Sequence, residues 1–152
     1  MTPGAYLKKR REAAGLSIAH VAQAVAALPW AIRVPSSGEI AQLVAALERA
    51  ETDRDNITVP QAELLRNAFR FDIEIYERLL WAHYGDVEAG PLPQLCRVCA
   101  CSWCDPCIDQ GLPCNWVTSD LCSACISKDE AASQLSTPLP AAMSELAGRA
   151  AA

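Results

Sequence analysis

The fold of the amino-terminal part is decided by Leu7-Lys-Lys-Arg-Arg-Glu-Ala-Ala-Gly15-Leu-Ser17-Ile-Ala-His-Val-Ala22. The residues from Tyr6 to Ala14 favour a helix, and Gly15 follows where a left-handed residue closes one. Ser17 is a favourable N-cap, and the apolar residues after it recur at helical spacing. The stretch therefore predicts two helices that meet at Gly15.

Caps further along the chain predict three more helices. The stretches 36–39 and 58–61 are capping boxes, in which two side chains bond reciprocal backbone amides. Asp72 is an N-cap candidate for a fifth helix, which ends at Gly85. Apolar residues at i, i+3 and i+4 follow each cap, and no strand pattern competes. We therefore expect residues 1–85 to form a mainly α, five-helix bundle.

All eight cysteines of the chain lie between Cys96 and Cys125. This density indicates metal, an iron–sulfur cluster or disulfides rather than ordinary buried thiols. Two Cys-x-x-Cys pairs, Cys96/Cys99 and Cys122/Cys125, suit a tetrahedral zinc site, and the remaining four cysteines suffice for a second one. We expect a small irregular module over 96–126 that holds two structural zinc ions. The expected ligands are Cys96, Cys99, Cys101, Cys104, Cys107, Cys114, Cys122 and Cys125.

Two other chemistries remain open for these thiols. The spacing of Cys101, Cys104 and Cys107 starts like a ferredoxin run, although the fourth cysteine and its proline are misplaced. Disulfides or thiol redox chemistry through Cys104-Asp-Pro-Cys107 are the third possibility. If only one zinc site is complete, Cys104 is the first ligand to be given up. Trp103 and Trp116 are expected to supply the apolar core of the module.

Composition and charge narrow the class of protein. The net charge of −5 does not point to nucleic acid or to an anionic membrane. No apolar run reaches the roughly 18 residues of a membrane span. Polar residues interrupt the apolar stretch 16–30, which is not typical of a signal peptide. We expect a cytoplasmic protein with a linker over 86–95 and a disordered tail over 127–152.

The stretch Leu7–Ala22 resembles the opening of the phage repressor and Cro-like (XRE-type) helix-turn-helix family. Leu47–Glu51 is similar to the end of that family's recognition helix, and residues 60–80 are similar to its last two helices. The cysteine segment, with its Pro-Cys-x-Trp and Leu-Cys-Ser-x-Cys patterns, resembles modules of phage and prophage proteins. The resemblance implies a repressor-like bundle whose third helix lies in the major groove of double-stranded DNA.

Candidate DNA contacts follow from the same resemblance. It implies phosphate contacts from the basic run 8–11 and from Arg33. Gln42 would offer its amide to adenine, and the two serines before it would reach a phosphate or a base. The full set is Lys8, Lys9, Arg10, Arg11, Arg33, Ser36, Ser37 and Gln42.

Two features depart from the family pattern. A longer connection that contains Pro29 and Pro35 replaces the tight turn between helices two and three. The predicted third helix carries Glu39, Glu48 and Glu51, with only one basic residue. Because phosphate neutralisation supplies most non-specific affinity, the domain alone would bind DNA weakly, and a homodimer would compensate.

Two functions are therefore considered, and the first is favoured over the second. The first is a phage or prophage-type DNA-binding transcriptional regulator with a structural zinc module. The alternative is a phage-encoded adaptor or inhibitor that binds a host protein and keeps the helix-turn-helix only as a scaffold. No catalytic triad, phosphate loop or paired-carboxylate pattern occurs in the sequence, so we do not expect an enzyme.

Overall fold

The computed structural model describes residues 1–28, 36–85, 90–109 and 111–128. These residues form α1 (Pro3–Ala13), α2 (Ile18–Ala26), α3 (Ser37–Glu51), α4 (Val59–Leu65) and α5 (Ile73–Tyr84). Short strands follow: β1 (Ile108–Asp109), β2 (Leu112–Pro113), β3 (Trp116–Thr118) and β4 (Leu121–Cys122). A 3-10 turn covers Ser123–Cys125. A mainly α chain with a cysteine cluster is thus confirmed, and no described helix is long and apolar enough to cross a membrane.

The predicted caps fix the ends of the helices. The Ser17 hydroxyl accepts a hydrogen bond from the His20 amide at the start of α2. In the α3 capping box, the Ser36 amide donates to the Glu39 carboxylate at 2.8 Å, and the Ser36 hydroxyl accepts from the Glu39 amide. The box at the start of α4 is formed in the same way. Each cap stabilises its helix by about 1 kcal/mol, so local sequence accounts for these boundaries.

The start of α1 differs from the prediction. The helix begins at Pro3 rather than Tyr6, and its N-cap is Thr2. The Thr2 hydroxyl accepts from the Ala5 amide, and Asp53 Oδ1 accepts from the Gly4 amide at 2.8 Å. Because Asp53 follows α3 in the chain, this start depends on a tertiary partner that local sequence patterns do not contain.

The five helices enclose one apolar core around Phe71. Its ring meets Tyr6 and Tyr76 edge-on at centroid distances of 6.3 and 6.4 Å, and Phe69 lies 5.2 Å away. Helix α2 packs along α3, and α1 packs against both α3 and α5. The remaining buried core residues of the bundle are Leu7, Val21, Ala22, Leu47, Ala62, Leu65, Ile75 and Leu79.

The cysteine module lies against the helical bundle. Ala100, which is 1% exposed, belongs to the bundle core, and Leu95 packs against that core. Lys9 Nζ donates to the Arg97 carbonyl at 2.7 Å. Of the predicted linker, 90–95 is described and 86–89 lies outside the described residues. Of the predicted tail, Ser127 and Lys128 are helical, and 129–152 lies outside the described residues.

Candidate functional site

A tight turn places the first three cysteines. The Cys96 amide donates to the Cys101 carbonyl at 3.0 Å, and the Ala100 amide donates to the Cys96 carbonyl at 2.9 Å. Ala100 adopts a left-handed φ of 57°, which brings the chain back toward its start. This conformation destabilises a non-glycine residue by about 1 kcal/mol, and packing of the Ala100 side chain in the bundle core offsets it. Cys96, Cys99 and Cys101 are consequently all buried.

Two hairpins bring the later cysteines to the same place. In the first, β1 pairs with β2, and the Cys114 amide donates to the Cys107 carbonyl at 2.8 Å. In the second, β3 pairs with β4, so that Trp116 lies opposite Cys122. The sulfur of Cys114 consequently lies 3.7 Å from that of Cys101, and the sulfur of Cys122 lies 3.8 Å from that of Cys99.

Two sets of four sulfur atoms are close enough to hold metal ions. Within each set all sulfurs lie within 4.8 Å of one another. Zinc–thiolate bonds of about 2.3 Å in a tetrahedron place the sulfurs about 3.8 Å apart, and the 3.7 and 3.8 Å distances fit that edge. The first set is Cys96, Cys99, Cys101 and Cys122, and the second is Cys101, Cys107, Cys114 and Cys122.

These sets differ from the two predicted from spacing. Cys125 was expected beside Cys122 as a ligand, and it is buried at 1% exposure but belongs to neither set. Cys104 is exposed and also lies outside both sets. The described residues thus group six of the eight predicted ligands within metal-binding distance.

Hydrogen bonding and burial move the pKa values of these thiols in opposite directions. Hydrogen bonds from Cys101 and Cys107 lower the pKa of Cys99. Burial, reinforced by negative charge at Cys99, raises the pKa of Cys125 to about 12 and that of Cys122 above its usual range. Several thiolates can therefore coexist here only with a positive counter-charge, which a divalent cation would supply.

The apolar surroundings of the cluster are smaller than predicted. Leu121 is buried and Trp116 packs partly against the cysteines. Trp103, expected in this core, is 80% exposed, so that prediction was wrong. Trp103 lies in a turn that two hydrogen bonds close. The Ser102 amide donates to the Asp105 carbonyl, and the Asp105 amide donates to the Ser102 hydroxyl. With so little apolar burial, the cluster suits a closed structural metal site that holds the module together.

Arg10 is turned into the molecule. Its Nη2 lies 2.6 Å from Asp105 Oδ2, with each side chain 7% exposed, and its Nε donates to the Arg70 carbonyl at 3.3 Å. Arg10 is therefore not available for the predicted phosphate contact, because its guanidinium is buried and already bonded. Arg70 Nε lies 2.7 Å from the other Asp105 oxygen. Asp105 is therefore a further link between the bundle and the module, beside Lys9 and Ala100, and this role was not predicted from the sequence.

Arg11 is also internal. It donates through Nε and Nη2 to the two oxygens of Glu51, at 2.5 and 2.7 Å, and through Nη1 to the Leu16 carbonyl at 2.6 Å. The hydrogen bond to Glu51 raises the pKa of Arg11 above its ordinary value. Arg11 is therefore not available for the predicted phosphate contact either, because its guanidinium bonds Glu51 and the Leu16 carbonyl. Lys9 is half-buried, and in the basic run only Lys8 is exposed.

Three of the remaining DNA-contact candidates, Ser36, Ser37 and Gln42, lie in the amino-terminal half of α3 or at its cap. Ser37 and Gln42 are exposed, whereas the Ser36 hydroxyl is part of the helix cap. Arg33 lies outside the described residues. Of the acidic residues on this helix, Glu39 is in the cap and Glu51 is paired with Arg11. The amino-terminal half of α3 thus exposes Ser37 and Gln42 together with the acidic Glu39.

Comparison with known proteins finds no family model, no curated protein and no solved structure that matches the chain.

Proposed function

We propose that the chain is a DNA-binding transcriptional regulator of the helix-turn-helix type, with phage or prophage character and a structural zinc module. The observation that carries the proposal is the exposed amino-terminal half of α3, with Ser37 and Gln42 on a helix against which α2 packs. A helix braced in this way can enter a major groove, and an exposed amide can pair with adenine.

Charge on α3 is less unfavourable to DNA than its composition indicates. Arg11 neutralises Glu51, whose side chain is 7% exposed. The Glu39 carboxylate bonds the amide and hydroxyl of Ser36 at the helix start. Glu39 and Glu48 are both exposed, one in each half of α3. Repulsion of phosphate is thus reduced at Glu51, whereas Glu39 keeps an exposed carboxylate at the end of α3 that would meet the bases.

The metal module would support the bundle rather than read DNA. Through Asp105 it holds Arg10 of α1, and through the Arg97 carbonyl it holds Lys9. Zinc bound by thiolates would fix these partners, because the module has little apolar core of its own. A homodimer would double the phosphate contacts available to one operator.

A protein-interaction role is the second candidate. The observation that favours it is that Lys9, Arg10 and Arg11 use their charge inside the molecule, which leaves few cations for phosphate. In this case the chain would be an adaptor or inhibitor that binds a host protein through the helical scaffold.

Selection from randomised duplexes, followed by mobility shift of metal-loaded protein, tests the first candidate against the second. Gln42→Ala is expected to weaken binding to the selected duplex about tenfold or more and to relax the preference at one base pair. Asn56→Ala is the matched control, since it removes an exposed amide from the loop after α3. Equal effects of both variants, or no enriched sequence, would favour the interaction role.

A further inference from the structure

The two candidate ligand sets are not independent, because Cys101 and Cys122 occur in both. We propose that the module holds a thiolate-bridged binuclear metal cluster, in which these two sulfurs each bind both ions. Cys96 and Cys99 would complete one tetrahedron, and Cys107 and Cys114 the other. The proposal does not depend on DNA binding.

Ligand number supports bridging. Two separate tetrahedral thiolate sites need eight sulfurs, whereas two ions that share two thiolates need six. Six is the number within metal-binding distance among the described residues. Cys104 is exposed in the turn before Asp105, and Cys125 lies against the cluster outside both sets.

Distances show that the two sets form one continuous cluster. Cys99 of the first set and Cys107 of the second have their sulfurs 3.1 Å apart. The 3.8 Å from Cys99 to Cys122 and the 3.7 Å from Cys101 to Cys114 each join a terminal ligand to a shared one. The last two distances match the edge of a zinc–thiolate tetrahedron, whereas Cys99 and Cys107, as terminal ligands of different ions, would lie farther apart than 3.1 Å once metal is bound.

Electrostatics favours the shared arrangement. Two dications bound by six thiolates carry a net charge of about −2, against about −4 for eight thiolates, and buried uncompensated charge is strongly unfavourable. Arg10, the buried cation that contacts the module, is already paired with Asp105. Bridging thus lowers the charge that the buried site must hold. Soft thiolates in a closed site select zinc, for which cadmium is a spectroscopic substitute.

Metal counting by native mass spectrometry tests the proposal. Wild-type protein, Cys104→Ala and Cys125→Ala are each expected to hold two zinc ions per chain. Cys101→Ala and Cys122→Ala remove a ligand from both ions, so both ions are expected to be lost together. Two separate sites would behave differently, if one were formed by Cys96, Cys99, Cys122 and Cys125 and the other by the remaining four cysteines. In that case Cys125→Ala and Cys101→Ala would each retain one ion. That result, one ion in the wild type, or bound iron would overturn the proposal.

Cadmium-113 NMR of the wild-type protein keeps the test independent of how the variants fold. Bridging sulfurs are expected to give two resonances that split each other through scalar coupling across the shared thiolates. Two cadmium resonances without mutual coupling, or a single resonance with one cadmium per chain, would contradict the shared arrangement.

Discussion

Arg10 Nη2 lies 2.6 Å from Asp105 Oδ2, and this buried ion pair joins α1 to the turn between two cysteines of the module. Arg70 Nε reaches the second Asp105 oxygen at 2.7 Å from a side chain that is 70% exposed. The helical bundle and the cysteine module thereby share a buried electrostatic contact. We expect the two parts to lose stability together.

Asp105→Asn tests this coupling. Removing one charge from a buried pair leaves the other uncompensated, so we expect the free energy of unfolding to fall by about 3 kcal/mol. Asp120→Asn is the control, because the Arg97–Asp120 pair has side chains 42% and 52% exposed. An exposed pair contributes about 1 kcal/mol or less. Urea denaturation of the metal-loaded variants measures both, and equal losses would contradict the coupling.

Arg11→Ala is expected to destabilise the bundle by about 3 kcal/mol, because it leaves the Glu51 carboxylate, 7% exposed, without its bidentate partner. Arg11→Lys is expected to recover only part of this loss, since an ammonium cannot reproduce the two parallel hydrogen bonds. Lys8→Ala, at an exposed position of the same helix, is the control and should stay within about 0.5 kcal/mol. Thermal unfolding decides, and a stable Arg11→Ala would contradict the structural role.

Gly4→Ala tests the crossing of α1 and α3. An added Cβ would lie 2.2 Å from the Ala50 carbonyl oxygen, so we expect a loss of about 1–3 kcal/mol. Gly38→Ala is the matched control, because its nearest neighbour would be the Ser36 hydroxyl at 3.9 Å. A helical glycine with this space is expected to gain up to about 1 kcal/mol from alanine. Chemical denaturation of both variants measures the difference, and a neutral Gly4→Ala would contradict the close approach.

Metal removal is expected to unfold the cysteine module and weaken the bundle. Leu121 and Trp116 supply little apolar burial, and Trp103 is exposed. Chelation should lower the melting temperature by about 10 °C or more, since structural metal binding contributes directly to folding. Added zinc should restore it. A melting temperature that does not change on chelation would show that the metal has no structural role.

Local sequence signals predicted most of the fold. The caps at Ser17, Ser36, Thr58 and Asp72 are formed, because each bonds amides within three residues of itself. The start of α1 was predicted late, since Asp53 reaches it from another part of the chain. Trp103 was wrongly placed because aromatic character does not say which side of a turn faces the cluster.

The spacing of the basic run indicates that two of its residues face the core. Arg10 and Arg11 follow Tyr6 and Leu7 by four residues each, which places all four on one face of a helix. The prediction of phosphate contacts followed from their charge, although their position beside an apolar pair indicates burial. The identity of their acidic partners, by contrast, depends on tertiary contacts.

The cysteines were identified as a group, but the sets were not. Cys-x-x-Cys spacing favours pairing Cys122 with Cys125, whereas the hairpins bring Cys122 to Cys99 and Cys101. Spacing describes which sulfurs are close along the chain, and only the folded hairpins determine which ones meet in space.

Titration of metal-loaded protein with its selected duplex over a salt series tests whether the protein binds DNA. We expect affinity to fall steeply and linearly on logarithmic axes, with Lys8→Ala reducing the slope by about 1. Arg78→Ala, an exposed cation on α5, is the charge control and should leave the slope unchanged. DNA binding would be contradicted if folded, zinc-loaded protein gave no shift at low salt, or if its affinity did not depend on salt.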